Sequence, residues 1–83
     1  MTENPIVVYG ARWCLDCRRA KKFFDQHQVP YQWINIEDDP DAVRVVMEVN
    51  GGMRSIPTIV FPDGSILVEP SNAELAAKLD LTI

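Results

Sequence analysis

Cys14 and Cys17 are the only cysteines of this 83-residue chain, and their Cys-x-x-Cys spacing restricts the surrounding fold more than any other feature. The apolar run Ile6-Val7-Val8-Tyr9 precedes them and reads as a strand buried on both faces. Cys17, Ala20, Phe24 and His27 then recur at helical intervals, with Phe23 flanking. A close thiol pair where a strand passes into a helix reads as a redox dithiol. The unpaired N–H groups and positive dipole end of a helix start favour a thiolate over a thiol. Trp13, directly before the pair, and Ile56-Pro57-Thr58, far downstream, strengthen that reading.

The flanking pattern supplies the remaining elements. Gly10 to Trp13 is a loop, and the first helix is predicted from about Cys14 to His27, ended by Val29-Pro30. Tyr31 to Ile36, aromatic and β-branched, is a second strand. In Glu37-Asp38-Asp39-Pro40 an Asp precedes a Pro at a first helical position, and acids suit the positive end of a helix. The second helix is predicted over about Asp41 to Val49, burying Val43, Val46 and Met47, and Asn50-Gly51-Gly52 stops it. Thr58 to Phe61, a Pro62-Asp63-Gly64-Ser65 turn and Ile66 to Val68 form an antiparallel hairpin. Ser71 and Glu74 make a capping box for a last helix with Leu75, Ala76 and Leu79 inward. The order β-α-β-α-β-β-α predicts one α/β domain over residues 1–83, a four-stranded mixed sheet covered by three helices.

Charge narrows the function. The net charge of −4 argues against nucleic acid as a partner. No apolar run nears the roughly 20 residues that cross a bilayer, so no membrane role is expected. Residues 1–5 lack the basic start of a secretory signal, which places the expected location in the cytoplasm, where a close cysteine pair is catalytic rather than structural. Five of the eight basic residues lie between Arg12 and Lys22, while Glu37, Asp38, Asp39 and Asp41 fall elsewhere. The expected site is therefore locally positive on an acidic body. Arg12, Arg18, Lys21 and Lys22 either favour a thiolate and attract carboxylate-bearing thiols, or simply solvate a helix face.

Trp13-Cys14-Leu15-Asp16-Cys17 after the first strand and Ile56-Pro57-Thr58 before the third resemble the glutaredoxin-like proteins of the thioredoxin-fold superfamily, over nearly the whole chain. Residues 50–58, followed by Asp63-Gly64-Ser65, are similar to the mycoredoxin subgroup. The resemblance implies the thioredoxin/glutaredoxin fold and a thiol–disulfide oxidoreductase. It implies a cis Pro57 packed beside the dithiol, and an Ile56 backbone that pairs with substrate in a short antiparallel bridge. It implies no tightly bound cofactor; the co-substrate is a low-molecular-weight thiol such as mycothiol or glutathione. The chain departs from the family pattern in two places. Leu15-Asp16 replaces the usual Pro-Tyr or Gly-Tyr between the cysteines, and Val68-Glu69-Pro70-Ser71-Asn72 replaces the Gly-Gly and Asp that hold the γ-glutamyl end of glutathione. Ser71 and Asn72 either offer polar groups to another small thiol or only cap the last helix.

Exchange requires one thiolate to attack a disulfide in line. Cys14, at the helix start, is expected to be the more exposed nucleophile, and Cys17, one turn inward, the resolving thiol. Asp16 disfavours a nearby thiolate and the basic residues, Arg18 among them, oppose it. Trp13 is expected to shape the approach to Cys14. Arg54 is a candidate for a substrate carboxylate, and Thr58 for a backbone or hydroxyl contact. Trp33 reads as packing, Tyr9 as core or site border, and His27 as too far along the helix to pair with Cys14.

Competing readings differ in electron source and partner. Electrons come from a small thiol or, in a thioredoxin-like carrier, from a flavin-dependent disulfide reductase. Protein disulfides, or mixed disulfides between proteins and a small thiol, are the expected substrates of a monomer. A zinc site needs four ligands, and the chain has no second cysteine pair and one distant His, so no metal site is expected within one chain. An iron–sulfur cluster bridging two subunits is the alternative. A purely structural bond across so short a loop stabilises by roughly 2 kcal/mol or less, a poor staple.

Overall fold

The computed structural model describes residues 5–81. Strands β1 (Ile6–Gly10), β2 (Tyr31–Asn35), β3 (Thr58–Val60) and β4 (Ile66–Val68) alternate with helices α1 (Leu15–Gln26), α2 (Pro40–Val49) and α3 (Asn72–Leu79) in the expected order. The sheet runs β2-β1-β3-β4, with β1 parallel to β2 and the other two pairs antiparallel. The right-handed crossover rule for βαβ units and the short Pro62–Ser65 turn explain these two directions.

Side chains alternate across β1, so its two faces feed two cores. Ile6 and Val8 join Ala20, Phe23 and Phe24 of α1, Ile59 and Phe61, and Leu75 and Ala76 of α3 in the main cluster. Tyr9 points the other way and packs with Ile34 against Ile36, Ala42 and Val46. Helices α1 and α3 therefore cover one face and α2 the other. Lys78 of α3 donates to Asp63 Oδ2 at 2.7 Å, tying that helix to the β3–β4 turn.

Three local expectations need correction. Ile36 does not extend β2. It begins a 3₁₀ turn, Ile36–Asp38, because the Asn35 side chain accepts from the Glu37 N–H at 3.0 Å and bends the chain there. Met47 is exposed rather than buried. Ala42 and Val46 face the sheet four residues apart, and Met47 stands one position off that stripe. Helix α2 starts at Pro40 itself, with Asp39 Oδ1 accepting from the Asp41 and Ala42 N–H groups at 3.0 and 3.2 Å. Asn50 closes this helix, and Gly51 and Gly52 continue with φ of 63° and 93°, where a side chain would be strained.

No helix among the described residues is long and apolar enough to cross a membrane.

Candidate active site

The dithiol sits where β1 runs out. The Cys14 N–H donates to Ala11 O at 3.2 Å, folding residues 11–14 into a turn. Cys14 is then the N-cap of α1, with extended backbone, and its Sγ accepts from the Cys17 N–H at 3.2 Å. Helix starts are usually capped by Ser, Thr, Asp or Asn; here a sulfur takes that place. An amide aimed at sulfur, at the positive end of a helix, stabilises negative charge on it.

Cys17 lies one turn further in and is fully buried, while Cys14 keeps 8% of its surface exposed. The order of exposure is as expected, but Cys14 is far more enclosed than expected. Its neighbours are the reason: Ala11, Cys14 and Cys17 form a small apolar cluster with Trp33 and Ile56 packed against it. Burial pushes the Cys17 thiol up to about 12. Its hydrogen bond to Cys14 and the charges of Cys14 and Asp16 add to that shift, against a backbone hydrogen bond from Ala11. Cys17 therefore keeps its proton near neutrality.

Gly10 makes this packing possible. A Cβ built there would lie 2.6 Å from Cys17 Sγ and 2.8 Å from the Trp33 ring. Trp33 stands opposite Val8 in the parallel register and spans from the main core to the dithiol. The Lys21 ammonium lies 4.0 Å above its ring centroid, a cation–π contact that covers its outer face. Trp33 is thus packing, as expected, but packing of the dithiol itself.

The antiparallel register sets Thr58 opposite Tyr9, which brings the preceding Ile56-Pro57 alongside the end of β1. The Ile56–Pro57 bond is cis and Pro57 is buried. Ile56 is half-buried and touches both the dithiol cluster and the core beneath α2. Thr58 is buried, and its hydroxyl donates to Ser55 O at 2.7 Å and accepts from Asn50 Nδ2 at 2.9 Å. That hydroxyl holds the 50–58 segment in place and is not available to a ligand.

The charged candidates scatter. Arg12, Arg18 and Arg54 are exposed and form no ion pair among the described residues. Asp16 leans along the helix to Arg19, with 3.3 Å between carboxylate and guanidinium. Arg19 also donates to Pro70 O at 2.8 Å, linking α1 to the segment before α3. There Ser71 accepts from the Glu74 N–H at 3.1 Å, and Glu74 accepts from the Ser71 N–H at 2.9 Å, so the serine hydroxyl serves as a helix cap. His27 ends α1 against the Phe23 ring, 4.4 Å between centroids. Trp13 is 66% exposed, and its indole N–H donates to Glu37 Oε2 at 2.8 Å. This corrects the expected separation of charge, because the fold brings an acidic side chain against the residue before Cys14.

Gly10, Arg19, Asn50 and Glu37 are not singled out as site residues by the sequence. A glycine ending a strand just before the cysteines was a usable signal for close approach. Nothing in the sequence pairs Trp13 with Glu37. Among the described residues no group of three or more His, Cys, Asp or Glu gathers as metal ligands.

A four-stranded sheet in this order, with a dithiol at the start of α1 and a cis proline beside it, defines the thioredoxin fold. The backbone matches that of the thioredoxin-like protein BC3987 with a TM-score of 0.76 at 25% identity, covering 87% of this chain and 96% of that one. The Glutaredoxin family model matches residues 6–66, and the chain belongs to that family of thiol–disulfide oxidoreductases. It is 39% identical over 79 residues to a glutaredoxin-named protein of Mycobacterium tuberculosis, spanning 95% of this chain and 94% of that one. It is 33% identical over 77 residues to mycoredoxin 1 of Corynebacterium glutamicum, spanning 93% and 95%.

Proposed function

We propose that the chain reduces protein disulfides, or mixed disulfides between proteins and a small thiol, with Cys14 as nucleophile and Cys17 as resolving thiol. The observation that carries this reading is the pairing of environments: a sulfur at a helix N-terminus accepting an amide, and a fully buried, protonated sulfur one turn behind it. Cys14 thiolate attacks one sulfur of R–S–S–R′. The Cys14–SR bond forms, the S–S bond breaks, and R′S⁻ leaves to take a proton from water. Cys17 then loses its proton and attacks the Cys14 sulfur, expelling RS⁻. Two electrons pass to the substrate, and the Cys14–Cys17 disulfide remains. Two equivalents of a small thiol, or a flavin-dependent reductase, return them.

The exposed Trp13, Arg12 and Arg54 and the half-buried Ile56 beside Pro57 would receive the substrate around Cys14, with Arg18 and Asp16 biasing the charge. The family match and the mycoredoxin relative support a low-molecular-weight thiol, mycothiol or glutathione, as co-substrate. The Ser71 cap supports only backbone contacts from the 69–71 segment. We assign residues 1–83 to one domain acting as a cytoplasmic monomer.

A Cys17→Ser variant in native lysate tests this directly. Mixed disulfides should accumulate on Cys14 and be readable by mass spectrometry as small-thiol or protein adducts. Adducts on neither, with wild-type protein equally inert toward disulfides, would defeat the proposal.

A further inference from the structure

Trp13 combines two properties that rarely go together. Two-thirds of its surface is open to solvent, yet its indole N–H is held by Glu37 Oε2 at 2.8 Å across 24 residues of chain. An exposed aromatic side chain is free to change rotamer unless something fixes it. Here a carboxylate does so, through a charge-assisted hydrogen bond stronger than a neutral one. Glu37 is itself placed by the 3₁₀ turn, and its own backbone N–H donates to Asn35 Oδ1 at 3.0 Å. The turn follows β2 directly, and β2 pairs with β1 up to Gly10↔Asn35. The register therefore sets the start of this turn level with the start of the dithiol loop.

The consequence is electrostatic as well as steric. Glu37 forms no ion pair among the described residues, so its charge is uncompensated by a salt bridge. It stands one side chain away from the backbone that carries Cys14. Arg12 and Arg54, also without ion-pair partners, would draw anionic disulfides toward the dithiol. Glu37 acts against them on the Trp13 side.

We propose that Glu37 is a specificity-determining residue: it holds the Trp13 indole beside Cys14 and biases exchange toward cationic and away from anionic disulfides. The inference rests on the proposed exchange at Cys14 and adds the charge class of the substrate. Three small disulfides separate the two: neutral bis(2-hydroxyethyl) disulfide, cationic cystamine and anionic dithiodiglycolate, compared by kcat/KM at low and high salt. Glu37→Gln keeps an oxygen acceptor for the indole and removes the charge. The anionic-to-cationic rate ratio should rise about five-fold at low salt, the scale of one exposed charge acting in opposite senses on two partners, and the change should collapse at high salt. Glu37→Lys should carry the ratio further. Glu37→Ala should also move the Trp13 indole N–H resonance and lower the rates with all three, while Glu37→Gln largely retains that resonance. A ratio unchanged in Glu37→Gln and Glu37→Lys would overturn the inference while leaving exchange at Cys14 intact. Wild-type protein inert toward all three disulfides would instead overturn the exchange reading and this inference with it.

Discussion

Two strand-to-helix junctions in this chain solve the same problem with different atoms. Between β1 and α1 the N-cap is Cys14, whose sulfur accepts one N–H. Between β4 and α3 the N-cap is Ser71, whose hydroxyl accepts the Glu74 N–H while Glu74 returns a bond to the serine backbone. The serine junction is closed: its donors and acceptors satisfy one another on the surface. The cysteine junction is open, since a polarisable sulfur receives the amide and retains its capacity to attack. A floor of Gly10, Trp33 and Cys17 lies beneath it. The same helix-end physics gives stability in one place and a reactive group in the other, and the cap atom decides which. Arg19 ties the two together through Asp16 and Pro70 O.

Disturbing the floor of the open junction should cost most. Gly10→Ala forces a methyl against Cys17 Sγ and the Trp33 ring, a contact neither can leave without repacking. Overpacking of this kind destabilises by about 1–3 kcal/mol. Denaturant unfolding should show that loss, with slower exchange because the pair is displaced. Wild-type stability in this variant would mean the floor is looser than its packing suggests.

The open junction should also respond to alkali where the closed one does not. Cys17 ionises near 9.0 as a free thiol and near 12 in the fold. The folded state then holds a proton that the unfolded chain has lost, so stability is complete below about pH 9 and falls as pH rises toward 12. At pH 10 the reduced protein should have lost about 1 kcal/mol relative to pH 8 through this group alone. Subtracting the same measurement on Cys17→Ala removes the other titrations. An identical pH dependence in that variant would show that Cys17 is not so protected.

The smallest effect belongs to the closed junction. Ser71→Ala removes the hydroxyl acceptor of the capping box and should cost about 1 kcal/mol, as such caps usually do. Exchange with protein disulfides should proceed at the wild-type rate, because the hydroxyl faces its own helix. A selective loss with a small mixed disulfide would instead make Ser71 part of a ligand site and blur the contrast between the junctions.

Legibility followed the range of the interaction. Order and type of all seven regular elements could be read because each rests on local signals: the apolar run of β1, Asp39-Pro40, Asn50-Gly51-Gly52, the Ser71 box. Ile36 continues the apolar pattern of β2, yet an Asn side chain, not hydrophobicity, ends that strand. Apolar residues crowd α2 and make Met47 as good a core candidate as its neighbours, and only contact with the sheet selects Ala42 and Val46. The cysteines were legible at once, and so was their order of exposure. Their common burial was not, since it comes from Trp33 and Ile56, about 16 and 39 residues after Cys17.

The chain itself determined the dithiol, the strand before it and the helix after it, since adjacency and periodicity act within a few residues and need no partner; the place of Pro57 beside the pair was implied only by the family resemblance. Tertiary structure alone decided that both cysteines are largely closed off from water, that Trp33 rather than a loop floors the pair, and that an acidic side chain grips Trp13. Those outcomes depend on strand register and on burial, and both are fixed only when distant segments close on one another and exclude solvent.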